Sequence, residues 1–355
     1  MTLTSVEICA GAGGQALGLE QAGFEHTCLV EIDSDAVATL RMNRPRWNVH
    51  QADLLNWQPP KSLERPDLLA GGVPCPPFSL AGKQLGPADD RNLFPRAIEL
   101  TQILNPRAVM LENVRGIMGR NFADYRSAIV DSFISLGYRV SWELVTSADF
   151  GVPQLRPRAV LVALKDGEAD FEFPSGDTSL RVPVGPILKD EMASLGWEGA
   201  TRWAESADAI APTLVGGSKK HGGADLGPTR ARQAWERLGV DGRGLADTPP
   251  APGFVGLPRL TVSMAALVQG FPTEWRIAGR KTSAYRQVGN AFPPPVAKAI
   301  GTRIAEALNG TQPNNAESGA TSISRPSDRQ RNFGDKQSGR PVKCRQEPEV
   351  VNQIR

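Results

Sequence analysis

The 355 residues are 40% hydrophobic, enough for a sizeable core and more than one small domain needs, with no run of 18 apolar residues and no secretory signal over residues 1–8. The net charge of +2 neither announces nor excludes a nucleic-acid partner, since phosphate binding depends on local clusters, and basic residues do outnumber acidic ones over residues 259–310. Four cysteines without a CxxC pair and three scattered histidines argue against a disulfide framework or a zinc cluster, so no metal is expected and a reducing cytoplasm fits best.

In chain order, the apolar run 6–9 predicts a strand entering Gly11-Ala12-Gly13-Gly14, and residues 15–22 a helix stopped by Gly23. Runs 27–30 and 47–52 predict strands ending at Glu31 and Asp53. Run 67–70 leads into Gly71-Gly72-Val73-Pro74-Cys75-Pro76-Pro77. A helix over 93–104 stops before Asn105-Pro106, and the strand 108–111 ends at Glu112. A helix over 125–136 stops at Gly137, followed by strands over 138–145 and 159–164. This alternation predicts an α/β fold, a mostly parallel sheet with helices on both faces. Ligands bind outside the carboxyl ends of such strands, so Glu31, Asp53, Cys75 and Glu112 should lie along one edge. After about Phe171 the periods blur. Residues 175–258 are rich in Gly and Pro, carry Trp197, Trp203 and Trp235, and predict a smaller irregular domain with one clear helix at 229–238. Helical periodicity returns at Ser263, with a final helix over 296–308. Residues 311–355 are polar and aperiodic, the composition of a disordered tail.

Three groups carry chemistry. Gly11-Ala12-Gly13-Gly14-Gln15-Ala16 fits the dinucleotide fingerprint, with Glu31 at the distance of an acid that binds ribose hydroxyls. That pattern leaves open both a nicotinamide cofactor and S-adenosylmethionine. A lone cysteine is more often core than nucleophile, and Cys9 and Cys28, inside expected strands, read that way first. Cys75 differs, because glycines precede it and the flanking prolines forbid pairing in a central strand. A rigid loop at a strand end would hold its thiolate, a strong nucleophile, toward the cleft. Glu112, followed by Asn113-Val114, supplies a carboxyl group that can protonate or hydrogen-bond a ring nitrogen during addition to an electron-poor ring. Standing alone it would read as a cap or a surface glutamate.

In this order the residues resemble the bacterial cytosine-carbon-5 DNA methyltransferases of restriction-modification systems, over about residues 5–310. The matching segments are Cys9-Ala10-Gly11-Ala12-Gly13-Gly14, Glu31-Ile32-Asp33, Ala52-Asp53-Leu54, the Pro74-Cys75 pair and Glu112-Asn113-Val114. Gln154-Leu155-Arg156-Pro157-Arg158, Arg259-Leu260-Thr261 through Gln269-Gly270-Phe271-Pro272, and Gln287-Val288-Gly289-Asn290-Ala291-Phe292-Pro293-Pro294 complete them. Cys9 stands where the family usually has Phe, and Pro76 where Gln is common.

The resemblance implies a Rossmann-like S-adenosylmethionine-dependent methyltransferase sheet over residues 1–171 and a smaller, irregular target-recognition domain over 172–275. Residues 276–310 would complete the catalytic domain, leaving the tail 311–355. The implied activity is that of a DNA (cytosine-5-)-methyltransferase. Cys75 would attack carbon 6 of a flipped-out cytosine. Glu112 would contact ring nitrogen 3 and the exocyclic amine, Arg158 would hold the base carbonyl, and Arg156 would order Cys75 and Glu112. The implied cofactor is S-adenosyl-L-methionine, held by Cys9, Ala10, Gly11, Gly13, Gly14, Ile32, Leu54, Asn290 and Ala291, with Glu31 on the ribose and Asp53 on the adenine amine. The implied partner is double-stranded DNA, met by Ser79 and Gln84 and, in the recognition domain, by Lys219, Lys220, Arg230, Arg232 and Arg243. A cytoplasmic monomer paired in function with a restriction endonuclease follows by analogy. An RNA cytosine methyltransferase would share these motifs, but the long stretch between Arg158 and Arg259 favours a DNA-reading domain. A nicotinamide oxidoreductase would leave Cys75, Glu112 and the late motifs unexplained, and a silent DNA-binding relative would have no use for an intact Cys75 and Glu112.

Overall fold

The computed structural model describes residues 2–63, 65–73, 92–216 and 224–310. Cys75, Ser79, Gln84, Lys219, Lys220 and the tail 311–355 lie outside the described residues. Seven strands, β1 (Leu3–Ile8), β2 (Phe24–Glu31), β3 (Val49–Gln51), β4 (Leu68–Gly72), β5 (Ala108–Val114), β6 (Tyr138–Thr146) and β7 (Pro157–Lys165), form one sheet in the order β3-β2-β1-β4-β5-β7-β6. The first five are mutually parallel; β7 runs antiparallel to β5, and β6 antiparallel to β7. The chain steps outward from β1 to β3, then returns to β4 on the other side of β1. The loops after β1 and β4 therefore diverge at a topological switch point, where doubly wound sheets bind ligands.

Strand alternation sorts the core. Val6, Ile8, Val109 and Leu111 face α3 (Phe94–Leu104) and α4 (Ala123–Ser135), while Leu3, Leu68, Ala70 and Met110 face the other side. That other side is covered by α1 (Gly14–Gln21), α2 (Ser34–Asn43) and α10 (Pro294–Leu308). The C-terminal α10 thus closes the sheet begun at the N-terminus. Its contact with α1 is close because Gly18 has no side chain: a Cβ there would sit 2.5 Å from the Ala297 Cβ and 2.7 Å from the Lys298 nitrogen. Gly18→Ala is therefore expected to cost about 1–3 kcal/mol through overpacking against backbone that cannot yield. A urea melt is the check, and an unchanged midpoint would contradict this packing.

The expected elements of the first 165 residues all form, with ends shifted by a few residues. Helix α2 is an addition to the expected elements, with Asp33 as its N-cap: the Asp33 side chain accepts from the backbone nitrogens of Asp35 at 3.0 Å and Ala36 at 3.4 Å. Two further helices, α5 (Val184–Ala193) and α6 (Ala200–Ser206), precede the expected one, α7 (Thr229–Arg237). Val184, Leu188, Trp203 and Trp235 share one hydrophobic cluster with α8 (Val262–Val268), α9 (Lys281–Asn290) and Ala12 and Leu17 of the glycine loop and α1. Among the described residues no helix is long and apolar enough to cross a membrane.

Candidate active site

The loop after β1 turns sharply. Cys9, expected to end the strand, instead adopts a left-handed backbone (φ 53°), as do Gly11 (φ 54°) and Gly13 (φ 82°). Glu31, the last residue of β2, fixes this turn: its Oε2 accepts from the Gly11 nitrogen at 2.7 Å and its Oε1 from the Asp33 nitrogen at 2.8 Å. Each carboxylate oxygen keeps a second lone pair for a ligand hydroxyl. Gly14 opens α1 in direct backbone contact with Phe292, leaving no room for a Cβ.

This turn floors a cavity of about 460 Å3, within the usual range of small-molecule sites. Cys9, Ala10, Gly11, Gly14, Glu31, Ile32, Asp53, Leu54, Asn290 and Ala291 line it, together with Glu112 and Arg158. The sequence-derived cofactor residues other than Gly13 thus share one chamber with Glu112 and Arg158. Gly13 does not line it; a Cβ there would meet Leu40, Trp275 and Trp47, so this glycine serves packing. Asp53 lies just past β3, with Oδ1 accepting from the Leu55 nitrogen at 3.0 Å. The buried Arg96 of α3 holds this turn from behind, its Nε donating to the Leu54 carbonyl at 3.0 Å. Arg96 and Arg286 escaped the sequence reading. Arg286 of α9 pairs with Asp33 at 3.1 Å across the cavity rim. No pattern around either would have singled it out.

Glu112 stands in β5 with its side chain 10% exposed, which sets aside the surface or capping reading. Its Oε1 lies 2.8 Å from Nε of Arg158 on the adjoining β7. Burial pushes the Glu112 carboxyl up, and the guanidinium groups of Arg158 and Arg156 oppose that. Such a carboxyl takes up a proton more readily than an ordinary one, which suits donation of a hydrogen bond to a ring nitrogen. Asn113 donates from Nδ2 to the Val73 carbonyl at 3.2 Å, so the residue after Glu112 holds the chain two positions before Cys75.

Arg156 is placed differently from the expectation. Its side chain is fully buried and lies outside the cavity lining. Nη1 donates to the Leu214 carbonyl at 2.8 Å, and Nη2 to the carbonyls of Gly289 and Ala291, each at 2.8 Å. Among the described contacts it makes no hydrogen bond to Glu112 and acts on it only through charge. Gln154 adds to the same buried network, accepting from the Leu214 nitrogen at 3.1 Å and donating to Gln269 at 2.8 Å. The network clamps the 214–216 segment to the end of α9. Arg232 and Arg243 line a second, separate cleft with Gln233, Glu236 and Asp241, while Arg230 is exposed on α7. Arg232 lies 3.9 Å from Asp225 and donates from Nη2 to Thr229 Oγ1 at 3.3 Å.

The arrangement defines a nucleotide-cofactor enzyme of the methyltransferase type, with an acid–guanidinium pair facing the cofactor loop. The family model of the C-5 cytosine-specific DNA methylases matches residues 3–306. The Type II methyltransferase M.NaeI of Lentzea aerocolonigenes is 56% identical over 87% of this chain and 76% of its own length. The Type II methyltransferase M.NgoMIV of Neisseria gonorrhoeae is 49% identical over 87% of this chain and 99% of its own. Among solved structures, a DNA modification methyltransferase encoded within an E. coli prophage superposes with a TM-score of 0.61 at 22% identity, covering 86% of this chain and 99% of that one, a likeness of fold. The chain belongs to the C-5 cytosine-specific DNA methylases, which transfer a methyl group from S-adenosylmethionine to carbon 5 of cytosine in DNA.

Proposed function

We propose that this enzyme is the modification partner of a restriction endonuclease, acting as a cytoplasmic monomer on a short site in double-stranded DNA. The names of its Type II relatives support the first part. The observation that carries the residue assignments is the buried Glu112–Arg158 pair opening on the same chamber as Glu31 and Asp53. The chamber fits the methyl donor. Its glycine turn admits close approach, its acids suit ribose hydroxyls and an amine, and it is rich in negative charge. When bound there, S-adenosylmethionine supplies an electrophilic methyl group.

Glu31 would accept from the ribose hydroxyls and Asp53 from the adenine amine, with Ile32 and Leu54 flanking the ring. Cys75 would add to carbon 6 of the target cytosine, and Glu112 would hold ring nitrogen 3 so that negative charge reaches carbon 5. Arg158 would hold the base carbonyl while steadying Glu112. Arg156 is reassigned from the catalytic centre to the clamp beneath it. These atoms are hidden in a stacked duplex, so the base leaves the stack to react, as is general for methyltransferases. Residues 172–275 would read the site despite sharing a core with the catalytic half. Lys219 and Lys220 would meet phosphates, and Arg230, Arg232 and Arg243 guanine edges. Bisulfite sequencing of plasmid exposed to the enzyme is expected to show one short sequence context in which a single cytosine position resists conversion. Methylation scattered without context, or confined to RNA, would overturn the reading.

A further inference from the structure

Glu7 of β1 is fully buried, and among the described residues neither carboxylate oxygen has a partner at hydrogen-bond distance, Gln15 of α1 being the polar side chain near enough to lower its pKa. An orphaned buried acid costs stability, and a fold keeps one where a ligand will meet it. Glu7 lines the cofactor cavity, and so does Gln15 of α1, whose two amide atoms are also buried and unpartnered. Two unsatisfied polar side chains on the floor of one chamber mark a place for a polar group of the ligand.

The surroundings say which charge that group carries. The other ionisable groups on the cavity wall are Cys9 just past β1, Glu31 at the end of β2, Asp33, Asp53 past β3, Glu112 on β5, Arg158 on β7 and Arg286 on α9. The two guanidiniums are already paired, with Glu112 and Asp33. The acids left without a guanidinium are Glu7, Glu31 and Asp53, and of these Glu31 and Asp53 accept from backbone nitrogens. S-adenosylmethionine carries a net positive charge through its sulfonium, whereas a nicotinamide dinucleotide carries phosphates that this chamber would repel.

We infer that Glu7 exchanges a proton for the positive charge of the methyl donor: its enclosed carboxyl is protonated in the empty cavity and ionises, releasing the proton to solvent, as the donor enters. The O–H bond of the carboxyl breaks, the electron pair stays on oxygen as counter-charge, and no other bond changes. Burial raises Glu7 to about 8, which is consistent with a neutral carboxyl at neutral pH before binding. Ionisation is then favourable only when a cation arrives, so donor binding and deprotonation are linked. The inference rests on the chamber being the S-adenosylmethionine site.

Calorimetric titration of the DNA-free enzyme with S-adenosylmethionine at pH 7, in buffers of low and high ionisation enthalpy (phosphate and Tris), tests it. Wild type is expected to release close to one proton per donor bound, and its affinity to rise about tenfold per pH unit from pH 6 toward 8. Glu7→Gln is expected to bind without proton release and with an affinity flat across that range. Equal heats in both buffers for wild type would overturn the inference, whether or not the variant folds. Undiminished release by Glu7→Gln would overturn it too, pointing to Glu112 as the source. No binding heat of any kind in wild type would instead sink the cofactor reading of the chamber.

Discussion

Cys75→Ala is expected to lower methyl transfer by roughly 10^4-fold or more, the order seen when a covalent nucleophile is removed, while duplex affinity changes by less than about threefold. The ground for so large a loss is the register around the Pro74-Cys75 pair. Gly72, three residues before Cys75, pairs directly with Glu112 across β4 and β5. Its bare Cα leaves the Glu112 Oε2 unobstructed, since a Cβ there would lie 3.4 Å from that oxygen. Val73 lines the cavity and is held by Asn113. The chain therefore leaves β4 beside the acid that would polarise the base, with Cys75 two residues on in the sequence from Val73. Without the thiol, carbon 5 stays a poor nucleophile however well the donor is bound. Methyl transfer from labelled S-adenosylmethionine and duplex binding, measured on the same preparation, separate the two effects. A duplex with 5-fluorocytosine at the target should trap wild type covalently, because fluorine cannot leave carbon 5 as a proton does. Cys75→Ala should form no such adduct, and retained turnover would refute the assigned nucleophile.

How much of this was legible in the sequence depended on how local the signal was. The strands of the first 165 residues could be read because buried parallel strands are short apolar runs bounded by Gly, Pro or an acid. Helix α2 was missed because it is weakly amphipathic, with buried Ala36, Val37, Thr39 and Leu40 among polar neighbours. Asp33 immediately before Ser34 was a usable capping signal. Glu31, Asp53 and Glu112 were placed correctly at the carboxyl edge because a charged residue ending an apolar run has few other positions. The partners of Arg156 are not legible in the sequence because its fate is tertiary: three carbonyls, from Leu214, Gly289 and Ala291, converge on it from 58 to 135 residues away. Glu7 could not be distinguished from any acid in a strand. Its importance lies in the partners it lacks, and a one-dimensional pattern does not record absent partners. The packing of residues 175–258, read as a separate, irregular small domain, is tertiary in the same way: Trp235 clusters with α8 and α9 residues distant in sequence.

The second large effect is expected at the acid itself. Glu112→Gln should reduce kcat by about 10^2–10^4-fold, the range for loss of a general acid, with little change in donor affinity. The pH profile should show the same group. Burial raises the Glu112 carboxyl, so the protonated form persists above the ordinary carboxylate range, and activity that needs it is lost as pH rises through the raised value. A stability effect accompanies the kinetic one, and the two can be pulled apart. Glu112→Leu alone leaves the Arg158 guanidinium buried, with its side chain 11% exposed, and without its counter-charge, a change that costs about 3–5 kcal/mol. Adding Arg158→Met removes the uncompensated charge, and the double variant should recover most of that stability, because apolar replacement of a whole buried pair is often neutral or better. It should nevertheless remain inactive. Urea melts beside turnover assays on the wild type, both single variants and the double variant give the comparison. A double variant that regains activity with its stability would mean that the pair serves the fold alone, and the assignment of Glu112 to the chemistry would have to be withdrawn.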